Sequence, residues 1–177
     1  MPLTPEEKHA RRLARFVESF RKHGIGHNVN EVATIWQRLV RLRHADQFGM
    51  CRCVCSGQAY PAEGSNLLDS GHFISRSKRA VIFDERNCHP QSVHSNRYGA
   101  EAWTYREWMV RNYDQVELAD LHELSQAVKQ WTKPELAELK AQFLDGCKAE
   151  LARIERGEAS RYDFVYPTSE AKAEGGD

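Results

Sequence analysis

The sequence predicts an α+β fold that is mostly helical, with a small ribbon-and-helix core flanked by helices at both ends. Three observations carry this. Apolar residues recur at helical spacing before about residue 47 and again after about residue 101. From Phe48 to Asn96 that period disappears, and Gly, Ser, Pro and Asn crowd around short apolar pieces: Val54, Phe73-Ile74 and Val81-Ile82-Phe83. Within this stretch His72, Asn87 and Asn96 lie fifteen and nine residues apart, intervals that suit a two-stranded ribbon feeding a helix.

The elements follow in order. Thr4-Pro5-Glu6-Glu7 reads as a capped helix start, with Leu13, Phe16, Val17 and Phe20 on one face and Gly24 and Gly26 ending it. A second helix begins near Asn28 or Asn30, and Val32, Ile35, Trp36, Leu39 and Val40 mark its apolar stripe. After the irregular middle, helical pattern returns over Glu101–Tyr113 and again over about Val116–Gln130. Thr132-Lys133-Pro134-Glu135 is a second capping box. It opens a long helix with the stripe Leu136, Leu139, Phe143, Cys147, Leu151 and Ile154. Periodicity is lost after about Gly157, and Glu170–Asp177 has the composition of a disordered end. The chain therefore divides into a basic helical part (1–47), the core (48–112), C-terminal helices (113–158) and a tail (159–177).

Composition bounds the function classes. With 177 residues, 41% hydrophobic and 28% charged, the chain has the make-up of a globular protein. No apolar run approaches the roughly 18 residues of a membrane span, and the first residues lack a signal-type segment. The expectation is a cytoplasmic protein with no membrane partner. Formal net charge is zero, but residues 1–111 hold 17 Lys+Arg against 11 Asp+Glu, and the remainder 8 against 14. That asymmetry suggests a basic working surface and an acidic helical end. Five cysteines, an odd number, argue against a disulfide framework. Cys147 falls on a helix stripe and reads as a buried thiol.

The middle constellation carries the chemistry. His72 follows Gly71 at a strand end, where a phosphate can approach the backbone. A neutral imidazole is a suitable base near pH 7. Asn96, at the head of the following helix, offers a hard carboxamide oxygen for Mg²⁺ or Mn²⁺. Asn87 is placed to hold the intervening loop by side-chain-to-backbone hydrogen bonds, and Arg76 to reach a phosphate. This is the order of a His-Asn-His/Asn (HNH) nuclease site, with His72, Asn87 and Arg76 as catalytic candidates. Taken alone, a histidine is more often a surface or satisfied core residue, and Asn87 and Asn96 read as turn or cap residues; their order and spacing carry the site.

Asp69-Ser70-Gly71-His72-Phe73, Arg86-Asn87-Cys88-His89-Pro90-Gln91, Asn96 and Tyr105-Arg106 resemble the NinG/Rap recombination proteins of lambdoid phages. The resemblance runs from about Cys51 to Arg156. It implies a ββα-metal core and a structure-selective nuclease acting on branched DNA, Holliday junctions and D-loops. A phage protein working in a bacterial host follows, with other recombination proteins as further partners. The metal site also resembles that of phage endonuclease VII, whose final ligand is likewise Asn.

Two departures matter. Many related nucleases carry Asp before the His, where this chain has Gly71. Asp69 is the nearest carboxylate and the candidate second metal ligand, or else a turn residue. The family also carries a zinc knuckle of two Cys-x-x-Cys pairs. Here Ser92 and Ser95 stand where the second pair is expected, and the first is blurred into Cys51-x-Cys53-x-Cys55. A zinc site would draw on two of Cys51, Cys53 and Cys55, together with His94 and with Cys88 or His89. The alternative is that packing replaces the knuckle and the thiols stay reduced. Lys8, Arg11, Arg12, Arg15, Lys78, Arg79, His89 and Arg97 are the candidate DNA contacts. A junction substrate would suit a two-fold homodimer. The competing reading is a catalytically inactive DNA-binding accessory protein on the same scaffold.

Overall fold

The structure is a computed structural model that describes residues 28–98 and 102–168. The first expected helix, with Lys8, Arg11, Arg12 and Arg15, lies outside the described residues, as does the end of the tail.

Helix α1 (Val29–His44) is capped by Asn28, whose side chain accepts from the Asn30 N–H. Its buried face carries Val32, Ile35, Trp36, Leu39 and Val40, the stripe read from the periodicity. Helix α5 (Lys133–Glu155) starts at the expected capping box: Thr132 accepts from the Glu135 N–H, and Glu135 accepts from the Thr132 N–H. The two helices pack along their lengths, with the Trp36 and Phe143 rings 4.9 Å apart. Gly146 permits the close approach, since a Cβ there would stand 3.0 Å from Leu39. Each fully buried side chain of this kind contributes about 1.5–3 kcal/mol.

The α1–α5 pair is also held by charge. The buried Arg153 donates to the Leu42 and Ala45 carbonyls at 2.9 and 2.7 Å and to Glu150 at 2.6 Å. It thereby caps the C-terminal end of α1, where the Leu42 carbonyl also accepts the Ala45 N–H. Arg161 pairs with the other oxygen of Glu150.

Between these helices the chain forms two antiparallel pairs. Strands β1 (Met50–Arg52) and β2 (Ala59–Pro61) make a hairpin. Strands β3 (Leu68–His72) and β4 (Cys88–Ser92) pair with Gly71 opposite His89 and His72 opposite Cys88. Helix α2 (Val93–Tyr98) follows β4 directly. Helices α3 (Ala102–Asn112) and α4 (Gln115–Gln126) complete the flank. Asp114 and Glu117 form a reciprocal cap at the start of α4. That helix ends at Gln126, short of the expected Gln130. The next residues leave the helix and bring the Trp131 indole to the Arg79 carbonyl at 3.0 Å.

A second core gathers Cys53, Val54, Cys55, Val81, Tyr105, Trp108, Met109 and Leu121. It is closed by a feature the helical period could not show. Tyr162, Phe164 and Tyr166 alternate along an extended strap. Phe164 packs 5.0 Å from Trp108, and the Tyr166 hydroxyl lies 3.1 Å from His44 Nδ1. Asn112 fixes the strap by accepting from the Val165 N–H at 2.7 Å and donating to its carbonyl at 3.0 Å.

Candidate active site

The site is built on β3, β4 and α2, a ribbon followed by a helix. Alternation along β3 sends Asp69 and Gly71 to one face and Ser70 and His72 to the other. The second face is locked to α1. Ser70 Oγ donates to the Gln37 carbonyl, and Gln37 Nε2 donates to the Ser70 carbonyl, both at 2.8 Å.

His72 Nε2 lies 3.0 Å from the Ile82 carbonyl. A carbonyl only accepts, so Nε2 carries the proton and Nδ1 keeps its lone pair. Burial, with the positive Arg76 nearby, lowers the His72 pKa to about 4. The ring is therefore neutral at pH 7, the state in which Nδ1 can take a proton. Cys88 Sγ, 3.9 Å from Nδ1, is its weak neighbour.

Asn87 is fully buried in the loop between the strands. Its Oδ1 accepts from the Ile74 N–H at 2.6 Å, and its Nδ2 donates to the Ile74 and Val81 carbonyls at 3.1 and 2.9 Å. The Val81 bond fixes the chain one residue before Ile82, the carbonyl that orients His72. Arg76 is exposed at the start of the same loop.

The other face of the ribbon gathers oxygen atoms around Gly71. A Cβ at Gly71 would overlap Gln91 Oε1 outright and meet Asn96 Oδ1 at 3.1 Å. Asp69 stands opposite Gln91 in the register. Its carboxylate accepts from Asn96 Nδ2 at 3.2 Å and lies 3.4 Å from Arg97 Nε. The structure thus brings Asp69 and Asn96 together and adds Gln91, which the sequence reading left out. The signal was present: Gln91 is the last residue of the Arg86–Gln91 motif, and period-2 pairing sets it across from Asp69. One carboxylate and two carboxamide oxygens are hard donors that fit Mg²⁺ or Mn²⁺. Among the described residues no three His, Cys, Asp or Glu side chains gather as a metal site. The cluster at Gly71 contains only one such group.

A buried relay steadies the Gly71–His72 peptide. The Tyr105 hydroxyl donates to the Gly71 carbonyl at 3.1 Å. Having given its only proton, it accepts from His89 Nδ1 at 2.8 Å. His89 Nε2 is then bare and accepts from the Tyr113 hydroxyl at 2.9 Å. Burial holds the His89 pKa well below the usual histidine value and the Tyr105 pKa well above the usual tyrosine value, so both stay neutral.

His89 therefore corrects an expectation: it is fully buried, both ring nitrogens are engaged, and it cannot contact DNA. Of the other candidate contacts, Lys78 is exposed. Arg97 is exposed beside Asp69. Arg79 is half-buried, its guanidinium 3.4 Å from Asn30 Oδ1.

The structure spreads the possible zinc ligands apart. Cys51 packs into the α1–α5 core, Cys53 and Cys55 lie in the second core, and His94 is exposed. Strand β1 ends at Arg52, and a turn closed by Gly57 N–H on the Cys53 carbonyl rotates the later cysteines away. Cys88 and His89 are committed elsewhere, Cys88 in the core and His89 in its relay. What surrounds Cys53 instead is serine: Ser92 N–H donates to its sulfur at 3.2 Å, and Ser95 Oγ lies 3.7 Å away.

Among the described residues no helix is long and apolar enough to cross a membrane. No curated protein and no solved structure matches the chain. A family model described as bacteriophage lambda NinG protein matches residues 5–154, which span the ribbon, the loop held by Asn87 and the helices on both sides. This chain belongs to the NinG family of bacteriophage proteins.

Proposed function

We propose that this protein is a metal-dependent DNA endonuclease that hydrolyses phosphodiester bonds in branched or recombination-intermediate DNA. The observation that carries the reading is the tautomer of His72. Its Nε2 proton is committed to the Ile82 carbonyl, which leaves a neutral ring whose Nδ1 lone pair meets only the weak donor Cys88 Sγ, 3.9 Å away. In this reading Nδ1 removes a proton from water as the oxygen attacks phosphorus, and the bond to the 3′ oxygen breaks. The phosphate lies across the end of the ribbon, within reach of Arg76. Asp69, Asn96 and Gln91 would hold Mg²⁺ or Mn²⁺ on the adjoining face. When bound, that ion supplies positive charge for the oxygens on which negative charge builds. Arg97 would then be released from Asp69 toward the DNA backbone, alongside Lys78.

The test is incubation of the purified protein with a four-way junction, a duplex and a single strand, each with Mg²⁺, Mn²⁺ or EDTA. Cleavage favouring the junction, dependent on metal and lowered about 10²–10⁴-fold by His72→Ala, supports the reading. Cleavage by His72→Ala at the wild-type rate removes the base from it. Asn96→Ala should raise the Mg²⁺ concentration needed for half-maximal rate.

One observation favours a second reading, a non-catalytic DNA-binding accessory protein acting in recombination. A histidine with its pKa near 4 is a weaker base than an ordinary one. Junction binding with no cleavage under any metal would select that reading.

A further inference from the structure

We infer that this chain has a metal-free knuckle, in which the sulfur of Cys53 takes the place of a zinc ion as the hub joining the β1–β2 hairpin to α2. The inference is independent of nuclease activity and rests on the geometry around one buried sulfur.

Cys53 follows β1 and is fully buried. Its sulfur is approached from two directions. From its own turn, Cys55 and Ser56 hold its pKa below the ordinary thiol value. From across the fold, the Ser92 N–H donates at 3.2 Å, and Ser95 Oγ approaches to 3.7 Å. Ser92 and Ser95 are themselves joined, with their hydroxyl oxygens 2.8 Å apart, and Ser92 Oγ accepts from the Ser95 N–H at 3.1 Å. That last bond satisfies an N–H of the first turn of α2. The hydroxyls can give their protons along this line, Ser92 to Ser95 and Ser95 to the sulfur.

The positions are those of a four-ligand knuckle. Cys53 and Ser56 have the Cys-x-x-Cys spacing, as do Ser92 and Ser95, so three of the four ligand positions are serine. Distances decide that hydrogen bonds fill the site. Two sulfurs on one tetrahedral zinc stand about 3.8 Å apart, and two oxygens about 3.4 Å. The Ser92 and Ser95 hydroxyls at 2.8 Å are too close to be co-ligands and at the right distance for an O–H···O bond. Serine hydroxyls are poor zinc ligands besides, whereas they are good donors to sulfur. What zinc does by coordination, the serines do by donating inward. The role is to seat α2, the helix that carries Asn96.

The experiment uses the full chain and reads metal and stability rather than cleavage. Wild-type protein expressed with added zinc and gel-filtered should carry less than stoichiometric zinc, and prolonged chelation should leave its melting temperature unchanged. Ser95→Ala should lower the melting temperature, by no more than roughly 2–4 °C. The triple variant Ser56→Cys, Ser92→Cys, Ser95→Cys should gain one zinc per chain. Its cobalt-loaded form should show thiolate-to-metal charge-transfer absorption that the cobalt-treated wild type lacks. One zinc per wild-type chain, with melting that collapses on chelation, overturns the inference. So does a folded triple variant that takes up no zinc. If the triple variant does not fold, the wild-type zinc content and the Ser95→Ala melting temperature still decide.

Discussion

Two polar clusters are buried against the same strand, and they are wired differently. The His89 cluster is a series: Tyr113 donates to His89, His89 to Tyr105, and Tyr105 to the Gly71 carbonyl. Each proton has one destination, so removing a member orphans its neighbours. The Cys53 cluster is a parallel arrangement, in which the Ser92 N–H and the Ser95 hydroxyl converge on one sulfur beside Cys55 and Ser56. Removing one donor there leaves the others in place. The series can fix the orientation of a single peptide, the one preceding His72. The parallel hub fixes no direction but tolerates loss.

The largest way to strain the series is acid. His44 and His89 are buried neutral, with pKa values lowered by desolvation, to about 3 for His44. The unfolded chain takes up protons near the ordinary histidine pKa of about 6.5, and the folded chain does not. Stability is therefore full above about pH 6.5 and falls as pH drops toward the folded values. At about 1.4 kcal/mol per pH unit, His44 alone costs on the order of 2–3 kcal/mol between pH 6.5 and 4.5, and His89 and His72 add to the fall. Chemical denaturation across that range checks it; a flat profile would mean the imidazoles are protonated in the fold.

Next in size is Tyr105→Phe. It leaves both His89 Nδ1–H and the Gly71 carbonyl unmatched, for about 2–4 kcal/mol of stability. If the nuclease reading holds, kcat should fall more than KM rises, because the peptide before His72 loses its tether. Tyr113→Phe, at the outer end of the series, orphans only His89 Nε2 and should cost about 1–2 kcal/mol. In the double variant the two costs should not add, since both act through His89. Full additivity would break the series picture. The smallest effect belongs to the hub, where Ser95→Ala should cost under about 1 kcal/mol because other donors remain. A Ser95→Ala penalty equal to that of Tyr105→Phe would erase the distinction between the clusters.

Much of the fold was legible in the sequence because helices announce themselves locally. The stripe of α1 and the capping box at Thr132 each sit within a few consecutive residues, and both appear where the pattern puts them. The ribbon was legible as a loss of helical period and as intervals between His72, Asn87 and Asn96. What was not legible depends on contacts between distant residues. His89, between Cys88 and Pro90, gives no local sign of burial. Its partners lie sixteen and twenty-four residues downstream, on and just beyond α3. The three crowded cysteines read as one cluster, but the turn after β1 sends Cys51 to one core and Cys53 to the other. Gln91 joins Asp69 only once the strand register is known.

The aromatic strap sets the order in which this chain can finish folding. Tyr166 and His44 touch across 122 residues of sequence, a span covering most of the described chain. Until the strap docks, His44, His89 and Trp108 lack their packing against Phe164, so the interior behind the ribbon stays open to water. During synthesis the helices and the ribbon emerge first, and the segment that seals them emerges after α5. Contacts of such long sequence separation form slowly. A chain stopped after α5 should hold its helices yet expose aromatic surface, and it would be a ready substrate for proteases and chaperones. The strap is in this sense a late seal, since it can shut the interior only after α5 has been made.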